Sequence, residues 1–220
     1  FCDKKNKLPS NDQIKIHMYK NGYFAAEVRD SVVTHKNRAT VYYVIDANIP
    51  YHIQCYMHEI EKNDQGEIHD YINSIENKSL IHEGDRFDMD LLDRERERIT
   101  IALKDSGFHF FNKEYIYFQY DTTEAKGQID LYMDIYNIKS KDQFTDTIKL
   151  VSHKRYTVSS IDLYTNFDPR VQSAQYEQLQ YNSMDFLYRN RLNIKPKVLS
   201  KRLDYKPGEY YNHSKVESAF

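Results

Sequence analysis

Nine histidines, two cysteines and one dense run of charge are the side chains of this 220-residue chain that could do chemistry. His58-Glu59 and His82-Glu83 set imidazole beside carboxylate. Neither has a second histidine four residues on, and no Cys/His cluster has ligand spacing, so no metal site is expected. Cys2 and Cys55 form no CxxC and neither demand nor exclude a disulfide; Cys2 follows Phe1 without a lipobox and reads as an incidental thiol. The six glycines build no GxGxxG, GxSxG or P-loop. Neither a nucleotide cradle nor a nucleophile elbow is predicted, no cofactor is expected, and the chain does not read as an enzyme.

Two further constellations invite a binding role. Asp90, Asp93, Arg94, Glu95, Arg96, Glu97 and Arg98 could dock a partner, but opposite charges offset by three and four read better as the solvated face of a helix. Tyr115, Tyr117, Phe118 and Tyr120 could stack on single-stranded RNA. With 31 basic against 33 acidic residues and a formal charge of -2, no positive field accompanies those rings, and nucleic acid is not an expected partner. Ordinary sheet packing explains them, since twenty tyrosines and no tryptophan suit sheet faces whose hydroxyls stay wet.

The elements that position these residues are clearest from Gly84 to Tyr136. Met89 to Ser106 has helical periodicity, with Met89, Leu92, Ile99, Ala102 and Leu103 toward one face. Asp88 is its expected N-cap, Phe87 and Leu92 have hydrophobic-staple spacing, and Gly107 stands where a left-handed residue ends the helix. A strand over Tyr115–Tyr120, a turn near Lys126-Gly127 and a strand over Gln128–Tyr136 follow, the last alternating Ile129, Leu131, Met133 and Ile135 with polar or tyrosyl positions.

The same order occurs earlier. Ser10 to Gln13 has capping-box spacing, Ile14 and Met18 lie one helical turn apart, and Asn21-Gly22 ends the helix before Tyr23-Phe24. Strands near Ala25–Thr34 and Ala39–Ala47 flank the turn His35-Lys36-Asn37, and Gly22 and Gly107 are 85 residues apart, a repeat period. Between the copies, His52 to Ile60 reads as a strand with Ile53, Cys55 and Met57 on one side. Glu61–Gly66 reads as a turn, and Ile68, Ile72 and Ile75 as a helix face. Residues 138–153 read as a polar link. A third copy then opens with Arg155-Tyr156-Thr157-Val158 and a strand to Leu163. Some strand character is expected around Asn182-Ser183, and Pro196 is the expected first residue of a helix carrying Val198, Leu199 and Leu203. Pro207-Gly208-Glu209-Tyr210-Tyr211 repeats the turn of Gly84–Phe87, and Ser214–Glu217 has capping-box spacing before Val216, Ala219 and Phe220. No apolar run reaches the ~18 residues of a spanning helix, no signal peptide is visible, and the abrupt ends at Phe1 and Phe220 lead us to expect an excised fragment.

The run Gly84-Asp85-Arg86-Phe87, Leu91 to Ile99, Ser106-Gly107-Phe108, with Ile194 to Leu199 before Pro207-Gly208, resembles the polypeptide-transport-associated (POTRA) domain of outer-membrane assembly proteins of the BamA and TamA type, and within that superfamily the TamA-like members most. The resemblance implies an α+β fold of tandem strand-helix-helix-strand-strand modules, each a three-stranded mixed sheet with two helices on one face. Residues 1–50 would be the rear of one module, 51–137 a complete module, and 138–220 a linker and the front of another. It further implies a periplasmic arm that receives unfolded outer-membrane proteins, or accessory proteins of the periplasm, by strand addition and passes clients to its own C-terminal β-barrel. The alternative is a static scaffold. The expected partner-binding edge is Glu114, Tyr115, Ile116, Tyr117, Phe118, Gln119 and Tyr120, with the Tyr117 amide facing outward. The first unit would offer a second edge near Ala26–Thr34. Gly22, Gly84, Phe87, Gly107, Gly208 and Tyr211 are the expected turn positions. Membrane insertion by this segment itself is not expected.

Overall fold

The computed structural model describes residues 10–58, 66–122, 126–141, 147–170, 175–203 and 205–218. The readings made on residues 1–9 with Cys2, on the turn 61–65, and on Ala219 and Phe220 lie outside the described residues. Two compact units are formed, Phe1–Glu97 with Glu114–Tyr136 and Arg98–Lys113 with Asn137–Phe220.

In the first unit, helix α1 (Ser10–Lys20) leads to a hairpin of β1 (Glu27–His35) and β2 (Arg38–Asp46), paired antiparallel from Glu27↔Asp46 to His35↔Arg38. Only Val28 of its residues is buried; Val32, Val41, Tyr42, Val44 and Ile45 are exposed. The unit continues with β3 (His52–His58), helix α2 (Gly66–Ser74), helix α3 (Met89–Asp105, of which the residues from Arg98 on are counted in the second unit), β4 (Ile116–Thr122) and β5 (Gln128–Ile135). The order β3-β5-β4 makes a mixed three-stranded sheet, with β3 parallel and β4 antiparallel to β5. Ile129, Leu131, Met133 and Ile135 are all buried, as strict alternation dictates for a strand with one covered face. Ile53, Ile81, Phe87 and Leu92 join Ile129 and Leu131 in one core cluster. Ile68 and Ile72 of α2 are buried as well.

The punctuation of α3 follows its chemistry. The Asp88 carboxylate accepts from the Asp90 amide at 2.9 Å, and Phe87 and Leu92 meet in the core as a staple requires. At the other end, Phe108 N–H bonds to Leu103 C=O and Gly107 N–H to Lys104 C=O, the pair that defines a Schellman cap. The buried face differs from the periodicity in two places. Met89 is exposed, whereas Glu95, assigned to the solvated face, is wholly buried and accepts from Ser79 Oγ and the Leu80 amide, both at 3.0 Å.

A second correction concerns β3. Its register against β5 shifts between Ile53 and Cys55, a bulge that moves Tyr56 onto the core face beside Ile53 and turns Cys55 and Met57 away. Tyr56 packs on the core cluster and Met57 is exposed.

In the second unit, the stretch read as a polar link contains a ribbon of β6 (Ile138–Lys141) and β7 (Ile148–Val151). The strand expected to Leu163 shortens to β8 (Asp162–Tyr164), with Thr157 in a lone bridge to Tyr210. The strand character expected around Asn182-Ser183 is found on either side of them, in β9 (Glu177–Tyr181) and β10 (Met184–Tyr188); Asn182 and Ser183 are the turn between, both with positive φ, as a two-residue hairpin turn demands. Strand order β8-β10-β9 is again mixed, with Phe186 and Met184 buried. Helix α4 (Pro196–Ser200) starts on proline as expected but is five residues long, and Val198 is exposed. Helix α5 (His213–Glu217) is capped by Asn212, whose side chain accepts from the Lys215 amide, not by Ser214. Among the described residues no helix is long and apolar enough to cross a membrane.

Candidate interaction sites: the β4 edge and two glycine joints

Strand β4 lies at the margin of its sheet, and among the described residues no strand pairs with its outer side. It begins at Ile116; Glu114 and Tyr115, expected within it, belong to a short 3-10 turn over Lys113–Tyr115. The Tyr136 amide donates to the Tyr115 carbonyl at 2.8 Å, which fixes the alternation of the ladder. In the observed register, Tyr117↔Asp134, Gln119↔Tyr132 and Asp121↔Asp130 are then the hydrogen-bonded pairs. Ile116, Phe118, Tyr120 and Thr122 are left with their amides and carbonyls directed outward. The Tyr117 amide therefore points inward, contrary to the reading from sequence.

The side chains of the strand divide by face. Ile116 is buried, and Phe118 is half-buried beneath the Arg96 guanidinium, 5.2 Å from its ring centre. Tyr120 stacks on Phe24 at 5.4 Å and meets Phe87 edge-on at 5.5 Å. Its hydroxyl is hydrogen-bonded to the Tyr19 hydroxyl; that bond, reinforced by burial, pushes the Tyr120 phenol up to about 12. On the other face, Tyr117 stacks on Tyr136 at 3.9 Å and donates to the Asp134 carboxylate, and Gln119 is exposed. These contacts are made by side chains and involve none of the outer backbone groups of Phe118, Tyr120 and Thr122.

The expected turn glycines form two equivalent joints. In the first unit, Gly22 has φ +85 and its carbonyl accepts from the Tyr51 amide at 2.9 Å; the Tyr51 carbonyl accepts from Phe87 at 2.9 Å, and Ile53 exchanges bonds with Gly84 and Asp85 at 2.7 and 2.8 Å. In the second unit, Gly107 has φ +109 and accepts from Tyr156 at 2.8 Å; Tyr156 accepts from Tyr211 at 2.9 Å, and Val158 exchanges bonds with Gly208 and Glu209 at 2.7 and 2.9 Å. The bonding scheme is the same. A Cβ on Gly22 would stand 2.8 Å from the Phe87 carbonyl oxygen, and one on Gly107 3.1 Å from the Tyr210 ring. Each joint also covers an aromatic ring with a guanidinium, Arg86 over Tyr23 at 5.7 Å and Arg155 over Phe108 and Tyr210 at 5.7 and 3.7 Å.

No protein-family profile and no curated protein matches the chain. Among solved structures it is similar to POTRA domains 3–5 of BamA from Haemophilus influenzae, at 14% identity over 98% of this chain and 69% of that one, with a TM-score of 0.45. It is also similar to BamA from Haemophilus ducreyi lacking POTRA domains 1–3, at 15% identity over 64% of this chain and 26% of that one, TM-score 0.38. A third likeness is to POTRA domains 1–3 of the periplasmic domain of Omp85 from Anabaena, at 10% identity over 94% and 66% of the two chains, TM-score 0.29. No family membership follows from values this low.

Sequence reasoning missed Glu95 and the aromatic group of Tyr19, Phe24 and Tyr120. Glu95 was within reach: it lies three residues after Leu92 and four before Ile99, inside the apolar stripe. No comparable local signal marks the aromatic group, whose members are spread from Tyr19 to Tyr120.

Among the described residues, no group of three or more His, Cys, Asp or Glu side chains is placed to hold a metal ion. What the arrangement offers is backbone chemistry at the β4 edge, supported on a close-packed sheet.

Proposed function

We propose that the chain is part of a POTRA-like periplasmic arm of an outer-membrane assembly factor, of TamA-like type by its sequence motifs. Residues 51–137 are the complete module, 1–50 the rear of one and 138–220 the linker and front of another. The arm pairs transiently with extended segments of unfolded outer-membrane proteins or of periplasmic accessory proteins, on their way to its C-terminal β-barrel. The observation that carries this reading is the outer side of β4, where the backbone groups of Ile116, Phe118, Tyr120 and Thr122 face away from the ladder and a strand of any sequence can add. Four such bonds at ~0.5–1.5 kcal/mol contribute roughly 2–6 kcal/mol, against an association cost of ~4–15 kcal/mol. Contact is weak and short-lived, as transfer requires.

A static scaffold is the second reading, favoured by the two joints, in which backbone bonds and close-packed glycines fix each turn. One experiment separates them. A photo-crosslinking residue at the exposed Gln119 captures an alternating barrel-strand peptide if the edge receives clients, and Thr122→Pro, which removes an outward amide, lowers the yield. A scaffold gives no Gln119 adduct in a folded protein.

A further inference from the structure

The two joints share a backbone scheme and differ in one latch. In the second, the Asp105 carboxylate in the last turn of α3 accepts from the Ser214 amide at 2.8 Å and hydroxyl at 2.7 Å, and the Asp105 carbonyl accepts from Asn212 Nδ2 at 3.0 Å. The His109 ring closes the same side, 4.2 Å from Tyr211. Superposing the bonding schemes on Gly22 and Gly107, and on Gly84 and Gly208, puts Lys20 in the place of Asp105, Phe24 in that of His109 and Asp90 in that of Ser214. Among the described residues no hydrogen bond or ion pair joins Lys20 to Asp90.

Where the latch is missing, a cleft of about 360 Å³ opens, floored by Ile16, Tyr19, Phe24 and Met89, with Lys15 and Lys20 its only charged lining residues. Ile16, Tyr19 and Met89 are 40–45% exposed there. The volume lies at the small end of the ~300–1,000 Å³ of ligand sites. The Tyr19 hydroxyl is engaged by Tyr120, so the floor offers little to orient a polar body. Neither lysine has an ion-pair partner among the described residues.

We infer that this cleft is a binding site for a free single-chain amphiphile with an anionic head, a fatty carboxylate. The tail lies between Ile16, Tyr19, Phe24 and Met89, and the head meets Lys15 and Lys20. An apolar trough with two unpaired cations selects for that combination and rejects both cationic and polar ligands. The site is independent of strand addition at β4.

The test is a titration of the whole chain, methyl-labelled at its five methionines, with sodium dodecanoate below its micellar concentration. The Met89 methyl resonance shifts saturably, while that of Met57, equally open on β3, stays in place. Dodecyltrimethylammonium requires about tenfold more to shift Met89, and Lys15→Glu/Lys20→Glu weakens dodecanoate about tenfold. The pair Lys20→Asp/Asp90→Ser, which installs the residues of the latched joint, abolishes the Met89 shift. Parallel movement of Met57 and Met89, equal binding of the two head groups by the unmodified chain, or no saturable Met89 shift overturns the proposal.

Discussion

Gly22 and Gly84 both have positive φ, yet a side chain would meet different surroundings at each. A Cβ at Gly84 has open space, so Gly84→Ala incurs only the ~1–2 kcal/mol of a left-handed residue. At Gly22 the same strain is joined by a 2.8 Å approach to a backbone oxygen that cannot move aside. Gly22→Ala is expected to exceed about 3 kcal/mol in urea unfolding, beyond the range of ordinary substitutions; equal effects at the two glycines would contradict the joint geometry. Glu95→Ala leaves the Ser79 hydroxyl and Leu80 amide without their buried acceptor, at an expected cost of about 2–4 kcal/mol. Glu95→Gln, which keeps one acceptor oxygen, costs less. Tyr120 supplies a pH test. Its phenol titrates at about 12 in the folded chain, above the ~10 of an unfolded tyrosine. The folded state holds this proton more tightly, so the stabilisation is complete below pH ~10 and is lost as pH rises through about 12. Tyr19→Phe and Tyr120→Phe should flatten that part of an alkaline melting profile, and an unchanged slope would argue against the hydroxyl pair. At this scale the turn glycines were legible because positive φ leaves a compositional mark, whereas Glu95 was hidden by the charges on either side of it.

At the scale of the element, β5 and α3 were read nearly to their ends, because strict alternation and paired caps are local signals. The face of β3 was not, since a bulge is set by pairing with β5 and leaves no mark in the alternation of β3 itself. The direction of each β4 amide was likewise invisible, because it depends on the register against Asp130–Ile135. Proline scanning reads that register. Tyr117→Pro removes an inward ladder bond and is expected to destabilise by about 3 kcal/mol, while Thr122→Pro, at an outward position, leaves the thermal midpoint within a degree or two. The reverse order of effects would shift the register by one residue. The stretch from β8 to α5 was read least well: its short strands and five-residue helices are too brief for periodicity to separate helix from strand.

Across the whole chain, one backbone bonding scheme recurs, once around Gly22 in the first unit and once around Gly107 in the second. That recurrence was legible from the 85-residue spacing of the two glycines and from the turns at Gly84 and Gly208; the tandem modules themselves belong to the proposal. The elements that follow differ: the β9–β10 hairpin stands between β8 and α4, whereas α2 stands between β3 and α3. Strand β4 is one margin of the three-stranded sheet β3-β5-β4, and the proposed role as a client-receiving arm rests on that edge. Amide hydrogen exchange measures the edge directly. In the free protein Phe118 and Tyr120 should exchange fast and Tyr117, Gln119 and Asp121 slowly; with a saturating barrel-strand peptide, the first two should become protected while the others are unchanged. Peptide binding that leaves Phe118 and Tyr120 unprotected would contradict strand addition at β4.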